Sequence, residues 1–384
     1  MAEPKILVVA GEASGDQHGA DLVAALRQRR PGLQVLALGG ERLRQAGARV
    51  EFDLVSHAVI GITEALRKLG SFLRALRCAR DLLRRERPDA VVLIDLPDLN
   101  FRIGAMAKAL GIPVVYYISP QIWAWRRGRI NTLRRLVDRM LVILPFEEAI
   151  YREAGIPVAF VGNPLVDQVK LETDPQEERR RLLAGAAGPL VALLPGSRSQ
   201  EIEFILPAMA EAGRRLTERF PGCRLILPLA RTVSEARVAG LLTAARCPAV
   251  LVRERPFAAR AAADLAIVSS GTATLETALL GTPQLIVYRM QSVSYWLARR
   301  FVKLDFFGLA NLVAGERVAP EFLQHEYTAE AVFAAAVRLL TDSAAAQAQR
   351  RAWDDLRKHL GGPGVAERAA GEILDFLSAK KNPS

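Results

Sequence analysis

The stretch ADLAIVSSGTATLETALLGTPQLIVY, residues 263–288, is where the fold declares itself. Leu265 to Val268 is short, apolar and bounded by turn formers, as a buried strand should be. Thr272 to Leu280 has helical character, with Gly281 as its C-terminal stop. Gln284 to Tyr288 resumes a strand. The three together are a βαβ unit. Between the first strand and the helix lies SSGT, a small hydroxyl-rich loop containing glycine. Such a loop leaves backbone N–H groups at the helix start, where a phosphate can bind with help from the helix dipole. Ser, Thr and Gly are also ordinary capping residues, so this loop alone does not choose between the two roles.

The same rhythm fills the chain on both sides. Ile6 to Ala10 reads as a strand, GEASGD (11–16) as a loop, Ala20 to Gln28 as a helix and Val35 to Leu38 as a strand. VVLID at 91–95, a helix over 101–110, VVYYI at 114–118 and MLVIL at 140–144 continue it. Residues 167–189 break the pattern with charged and small residues and read as a connection. The rhythm restarts at LVALLPGSRSQE and runs through CRLILPL, AVLV and QLIVY. Uniformly apolar strands alternating with helices predict parallel sheets covered on both faces. The expected class is therefore α/β: two Rossmann-like doubly wound domains facing a cleft, over 1–172 and 173–343. A helical segment over 344–384 is expected to pack back on the first domain or on a partner, which would make a homodimer through this segment possible.

Composition narrows the function. A chain of 384 residues that is 51% hydrophobic and 24% charged is globular with an ample core. Its apolar runs are too short and too interrupted to span a bilayer, and MAEPKILVVAGE is not expected to be a secretory signal. Cys78, Cys223 and Cys247 are isolated, without metal or redox spacing, and suit buried thiols in a reducing cytoplasm. The net charge is +11, and arginine supplies 44 of the 52 basic residues. Compositional bias explains part of that. Nucleic acid, anionic lipid or an acidic substrate would explain the rest.

Four loops follow apolar strands and carry most of the polar chemistry: GEASGD, LIDLPDLN (93–100), PGSRSQE (195–201) and SSGTATLE (269–276). All would lie at the carboxyl ends of strands, where doubly wound folds bind ligands. The first loop does not match GxGxxG, and no GxxxxGK[ST] is present, which argues against a dinucleotide enzyme and a P-loop NTPase. Gly196, Ser197 and Arg198 place a guanidinium beside glycine and serine, suited to phosphate oxygens. With Ser270, Gly271 and Thr272 at the other helix start, they suggest a diphosphate site. Glu276, one turn further, can accept from both hydroxyls of a ribose. A nucleoside diphosphate is the economical ligand. Asp95 ends a buried strand, where desolvation raises a carboxyl pKa and suits a general base. Asp98 can cap the following helix. Glu12, Ser14 and Asp16 can hold sugar hydroxyls or cap theirs. His18 reads as structural. No cluster has metal-ligand spacing, so no metal or other cofactor is expected.

These residues, in order, carry a resemblance. GEASGD, IDLPDLN, SPQIWAWRRGR, LPFE, LLPGSR, SSGTATLE and NLVAG resemble the lipid-A-disaccharide synthase family, from residue 6 to about 317. The resemblance implies a GT-B fold and metal-free inverting transfer of a sugar from UDP-2,3-diacylglucosamine to 2,3-diacylglucosamine 1-phosphate, releasing UDP. It implies Asp95 as the base, with Glu12 and Ser14 near the reacting sugar. Arg198, Glu276 and Asn311 would bind UDP. Leu96 and Ala13 depart from some relatives without removing a polar group assigned to chemistry.

Lipid substrates would account for the basic charge. Over 62–87, Ile62, Leu66, Leu69, Leu73, Leu76 and Leu83 recur at helical spacing among eight basic residues. Such a helix can lie on an anionic membrane surface, or simply cover the sheet. Trp123 and Trp125, and the segment 295–309 with Trp296, Phe301, Phe306 and Phe307, are further candidates. A cytoplasmic protein held peripherally on the inner leaflet is expected. Two rivals stand: another UDP-sugar enzyme on this fold, such as an epimerase or a different lipid glycosyltransferase, and a nucleic-acid binder. The latter lacks any recognisable motif, so no nucleic-acid partner is expected.

Overall fold

The computed structural model describes residues 3–55, 64–122, 127–230, 233–291 and 305–381, with the backbone alone at 64–69, 127 and 381. The chain divides into two compact units. One reaches to Pro164 and resumes at Leu360, and the other is Leu165–His359.

In the first unit the strands are β1 (Lys5–Ala10), β2 (Gln34–Gly39), β3 (Arg49–Asp53), β4 (Ala90–Ile94), β5 (Val114–Tyr117), β6 (Arg139–Val142) and β7 (Val158–Phe160). They form a parallel sheet in the order β3-β2-β1-β4-β5-β6-β7. Every residue of β4 is buried, because helices cover both faces of the sheet. One face packs with Leu22, Val23 and Leu26 of the helix Ala13–Arg29, and the other with Leu76, Leu82 and Leu83 of the helix Glu64–Glu86. The helix Val365–Lys381 joins this unit through Ala369, Ile373 and Leu377 in the same core. Arg368 fastens it by donating from Nε to the carbonyl of Val161 at 2.8 Å.

The second unit holds β8 (Leu190–Leu194), β9 (Arg224–Pro228), β10 (Val250–Val252), β11 (Leu265–Ser269), β12 (Gln284–Tyr288) and β13 (Glu321–Leu323), all parallel, in the order β10-β9-β8-β11-β12-β13. The helix Ser343–His359 packs here, with Trp353 fully buried and Gln349 accepting from Gln284 N at 2.8 Å. Both sheets are thus doubly wound, as predicted.

Several boundaries differ from expectation. The predicted loop GEASGD is already helical from Ala13, and PGSRSQE is helical from Ser199. That second helix continues through Pro207. Ile202, Ile205, Leu206 and Met209 are buried along it, and that burial overrides the proline. The helix predicted over 101–110 starts at Pro97, whose ring presets the first helical φ.

Each strand order reverses direction beside one pair of neighbours. In the first sheet these are β1 and β4, where Ala10 lies opposite Ile94. In the second they are β8 and β11, where Leu194 lies opposite Val268. Ligands of doubly wound sheets bind at the carboxyl ends of such a pair. The loops that follow these four strands are the four singled out from the sequence.

Candidate active site

In the first unit, Glu12 leaves β1 and Asp95 leaves β4, so the two carboxylates face the same switch point. Burial raises the Asp95 carboxyl above its ordinary range, and the nearby Glu12 charge raises it further; an N–H from Leu96 opposes both. Asp95 lines a cavity of about 450 Å³ with Ser119, Arg129 and Glu147. The backbone there is strained: φ is +46° at Asp95, +41° at Leu96 and +61° at Ile118. Each such residue costs on the order of 1–3 kcal/mol, and strain of this kind gathers at functional sites.

Neighbouring carboxylates are occupied differently. Asp98 is exposed and accepts from Arg129 Nη2 at 2.8 Å, rather than capping its helix. Asp16 is buried, and its oxygens accept from the N–H groups of Gly40 at 2.7 Å and Arg42 at 3.0 Å. It caps the neighbouring helix Glu41–Gln45 on the same face of the sheet. Ser14 is exposed in the first turn of its own helix. His18 is held neutral, since burial lowers its pKa to about 4. Glu147 is 1% exposed, accepting from Ser119 Oγ at 2.6 Å and Leu144 N at 3.1 Å.

In the second unit, Gly196, Ser197, Arg198, Ser270, Gly271, Thr272 and Glu276 all line one cavity of about 890 Å³. Gly196 has φ +115°, a left-handed backbone conformation that favours glycine. Arg198 sits at the start of the helix Ser199–Arg219 and reaches Glu201 at 3.1 Å. Glu276 pairs with Arg260, both partly buried. Ser270 Oγ donates to the carbonyl of Phe307 at 2.7 Å.

Asn311 is fully buried and not part of that lining. Its amide donates to Ala319 O at 2.7 Å and Glu321 Oε1 at 2.9 Å, and its carbonyl accepts from Ala319 N at 2.9 Å. Glu321 also accepts from Phe307 N at 3.0 Å and Gly308 N at 2.8 Å. Asn311 therefore reaches Ser270 through a loop rather than facing the cavity.

Sequence reasoning missed Arg253, Arg255, Phe257 and Arg260, which line the same cavity after β10. Their position after a strand on the same rim was the available signal. Of the acceptor-side leucines, Leu73 is 41% exposed and Leu76 buried, while the side chains of Leu66 and Leu69 lie outside the described residues. Trp123, Trp125, Trp296 and Phe301 lie outside them too. Burial pushes the thiols of Cys223 and Cys247 up to about 11, so neither is a nucleophile at neutral pH.

The sequence pattern described as lipid-A-disaccharide synthetase matches residues 6–370. The lipid-A-disaccharide synthase of Myxococcus xanthus (strain DK1622) is 44% identical over 374 residues, covering 97% of this chain and 98% of its own. Among solved structures, MurG of Acinetobacter baumannii superposes with a TM-score of 0.59 at 18% identity, over 97% of this chain and 99% of that one. A UDP-GlcNAc 2-epimerase from Neisseria meningitidis, solved with UDP-GlcNAc bound, gives 0.61 at 14% identity over 98% and 100%. At these identities the structures establish the fold, of the GT-B type, and leave the reaction open between transferase and epimerase.

Proposed function

The chain belongs to the lipid-A-disaccharide synthetase family, and on that premise we propose that it joins UDP-2,3-diacylglucosamine to 2,3-diacylglucosamine 1-phosphate with inversion and without a metal. Membership makes it a glycosyltransferase of lipid A disaccharide synthesis. The observation that carries the finer reading is the raised carboxyl of Asp95, beside Glu12 at a switch point and lining a cavity.

Asp95 takes the proton from the acceptor's primary hydroxyl. That oxygen bonds to the donor's anomeric carbon as the bond to the diphosphate breaks, and the electron pair leaves with UDP. One displacement from the face opposite the leaving group inverts the centre. Arg198 and the helix start at Thr272 receive the growing negative charge, and Glu276, held by Arg260, accepts from the ribose hydroxyls. Arg129, the cation among the described residues lining the Asp95 cavity, suits the acceptor's phosphate. Asn311 acts at one remove, by fixing the loop on which Ser270 leans.

The lipid chains place the protein on the cytoplasmic face of an anionic membrane. In support, Leu73 is exposed on the helix Glu64–Glu86 together with the basic Arg74, Arg77, Arg84 and Arg85. No helix among the described residues is long and apolar enough to cross a membrane.

A transfer assay with both lipid substrates in chelator, run in detergent micelles and on anionic vesicles, tests this. Disaccharide and UDP should form in equal amounts, at a rate the chelator leaves unchanged, with protein sedimenting with the vesicles in low salt. Turnover of UDP-sugar without acceptor would instead make it an epimerase, and loss of activity in chelator would remove the metal-free step.

The pH dependence follows from the carboxylate pair. The base must be deprotonated to act, so its pKa sets an acid limb in kcat/KM. Glu12→Gln removes a like charge, lowers that pKa and should move the limb to lower pH. A limb that stays where it was would leave burial as the whole cause.

A further inference from the structure

Two consecutive non-glycine residues in the left-handed region, Asp95 and Leu96, need something to hold them there. The carbonyl oxygen of Asp95 accepts from Tyr116 Oη at 2.6 Å and from Asn100 Nδ2 at 2.6 Å. The same Nδ2 reaches Ile94 O at 3.1 Å, so one amide ties the last strand residue to the turn. Asn100 and Tyr116 are both fully buried. The Tyr116 ring meets Phe101 edge-on, with centroids 6.4 Å apart, and Phe101 lies under the Arg129 guanidinium at 5.3 Å. On the other side Leu96 rests on Gly11, where a Cβ would come within 2.2 Å of Leu96 Cδ2. Both hydrogen bonds go to the main-chain carbonyl of Asp95, not to its carboxylate.

We propose that Asn100 and Tyr116 are positioning residues that lock the Asp95–Leu96 turn and so fix where the Asp95 carboxylate meets the acceptor hydroxyl. The inference rests on the reading of Asp95 as the base. Neither residue touches substrate; each acts through the backbone of the residue that does. A residue needed only for packing would supply volume, which Ile, Leu or Phe can do. Here a buried hydroxyl and a buried amide converge on one carbonyl, and the conformation they hold is one that the chain would otherwise leave. A displacement of about 1 Å at a reacting group can cost on the order of 10²-fold in rate. The donor cavity belongs to the other unit, so its affinity for the nucleotide should not follow the turn.

Tyr116→Phe keeps the ring and removes one of the two bonds. The expected result is a kcat about 10- to 100-fold lower, with KM for the UDP-sugar unchanged and the protein folded. In the Asp95→Asn background the same substitution should cause no further loss, because the carboxylate it positions is gone. Asn100→Ser should repeat the pattern, and it carries the test if Tyr116→Phe does not fold. Wild-type kcat in a folded variant, or an equal loss with and without Asp95, would overturn the proposal. Failure of both variants to fold would also overturn it, since the bonds would then hold up the sheet. Wild-type protein that makes no disaccharide would sink the underlying reading instead, before any variant is compared.

Discussion

Asparagine in place of Asp95 is expected to lower kcat about 10³-fold while leaving a folded protein that still binds UDP. Removing a general base costs 10²- to 10⁴-fold, or roughly 4 kcal/mol of barrier at the middle of that range. Fold should survive for three reasons. The bonds that hold the turn go to the backbone carbonyl, which asparagine retains. Asparagine tolerates the left-handed region better than most residues, and φ here is +46°. The third reason is electrostatic, and its sign can be worked out. The carboxyl is raised in the folded state, so the stability it contributes is complete below its unfolded pKa and is lost as pH rises through the folded pKa. At neutral pH the charged form is therefore a penalty, which asparagine removes. Scanning calorimetry should give a Tm at or above wild type. Calorimetric titration with UDP should be unchanged, and product formation should be nearly absent. Activity within tenfold of wild type would move the base elsewhere, with Glu12 and Asp98 next in line.

What could be read from the sequence, and what could not, divides along a physical line. Strands such as AVVLI (90–94) and LAIV (265–268) are uniformly apolar because both faces are covered, so they and their helices are legible. The edge strands β3 (RVEFD) and β13 (EFL) are partly exposed and mixed in composition, and carry no such signal. Helix starts were hidden where proline or small residues mimic a loop, at Pro97, Ala13 and Ser199. Rim position singled out Glu12, Asp95 and Arg198 as candidates, since residues just past a buried strand are placed by the fold itself, and Glu276 follows one turn into the helix Thr272–Leu279. Asp16 shows the limit of that rule: a carboxylate on the same rim accepts from the backbone N–H groups that start the neighbouring helix. Asn100 and Tyr116 were invisible because their partner is a main-chain carbonyl, which looks alike at every position. Arg260 was hidden likewise, since its partner Glu276 lies 16 residues on in a different helix.

Alanine in place of Arg198 should lower kcat/KM for transfer by about 10²- to 10³-fold, the cost of removing one donor from developing negative charge. Four arginines line the second cavity, and each has a carboxylate partner. Arg260 is bound to Glu276, Arg255 lies 3.5 Å from the buried Glu178, and Arg253 meets Glu235 at 2.8 Å. Arg198 is 81% exposed, the most open of the four, and its partner Glu201 stands three residues ahead in the first turn of the helix that Arg198 precedes. A pair whose cation is this open to solvent is worth little, so a diphosphate can replace the carboxylate; Arg253 with Glu235, 44% and 56% exposed, is the next most readily freed. Arg198 also follows β8 at the switch point, where the start of the helix Ser199–Arg219 adds its own positive end. The same exposure means that the fold does not depend on it, and Tm should stay within about a degree of wild type. Lysine should restore part of the rate, because it keeps the charge and loses the planar fork that grips two oxygens at once. Steady-state kinetics on the alanine and lysine variants, with Tm measured alongside, decide the matter. An alanine variant within threefold of wild type would hand the leaving diphosphate to Arg253 or Arg255. Their carboxylate partners would then have to be displaced in turn, and Arg253→Ala or Arg255→Ala should show the loss that Arg198→Ala does not.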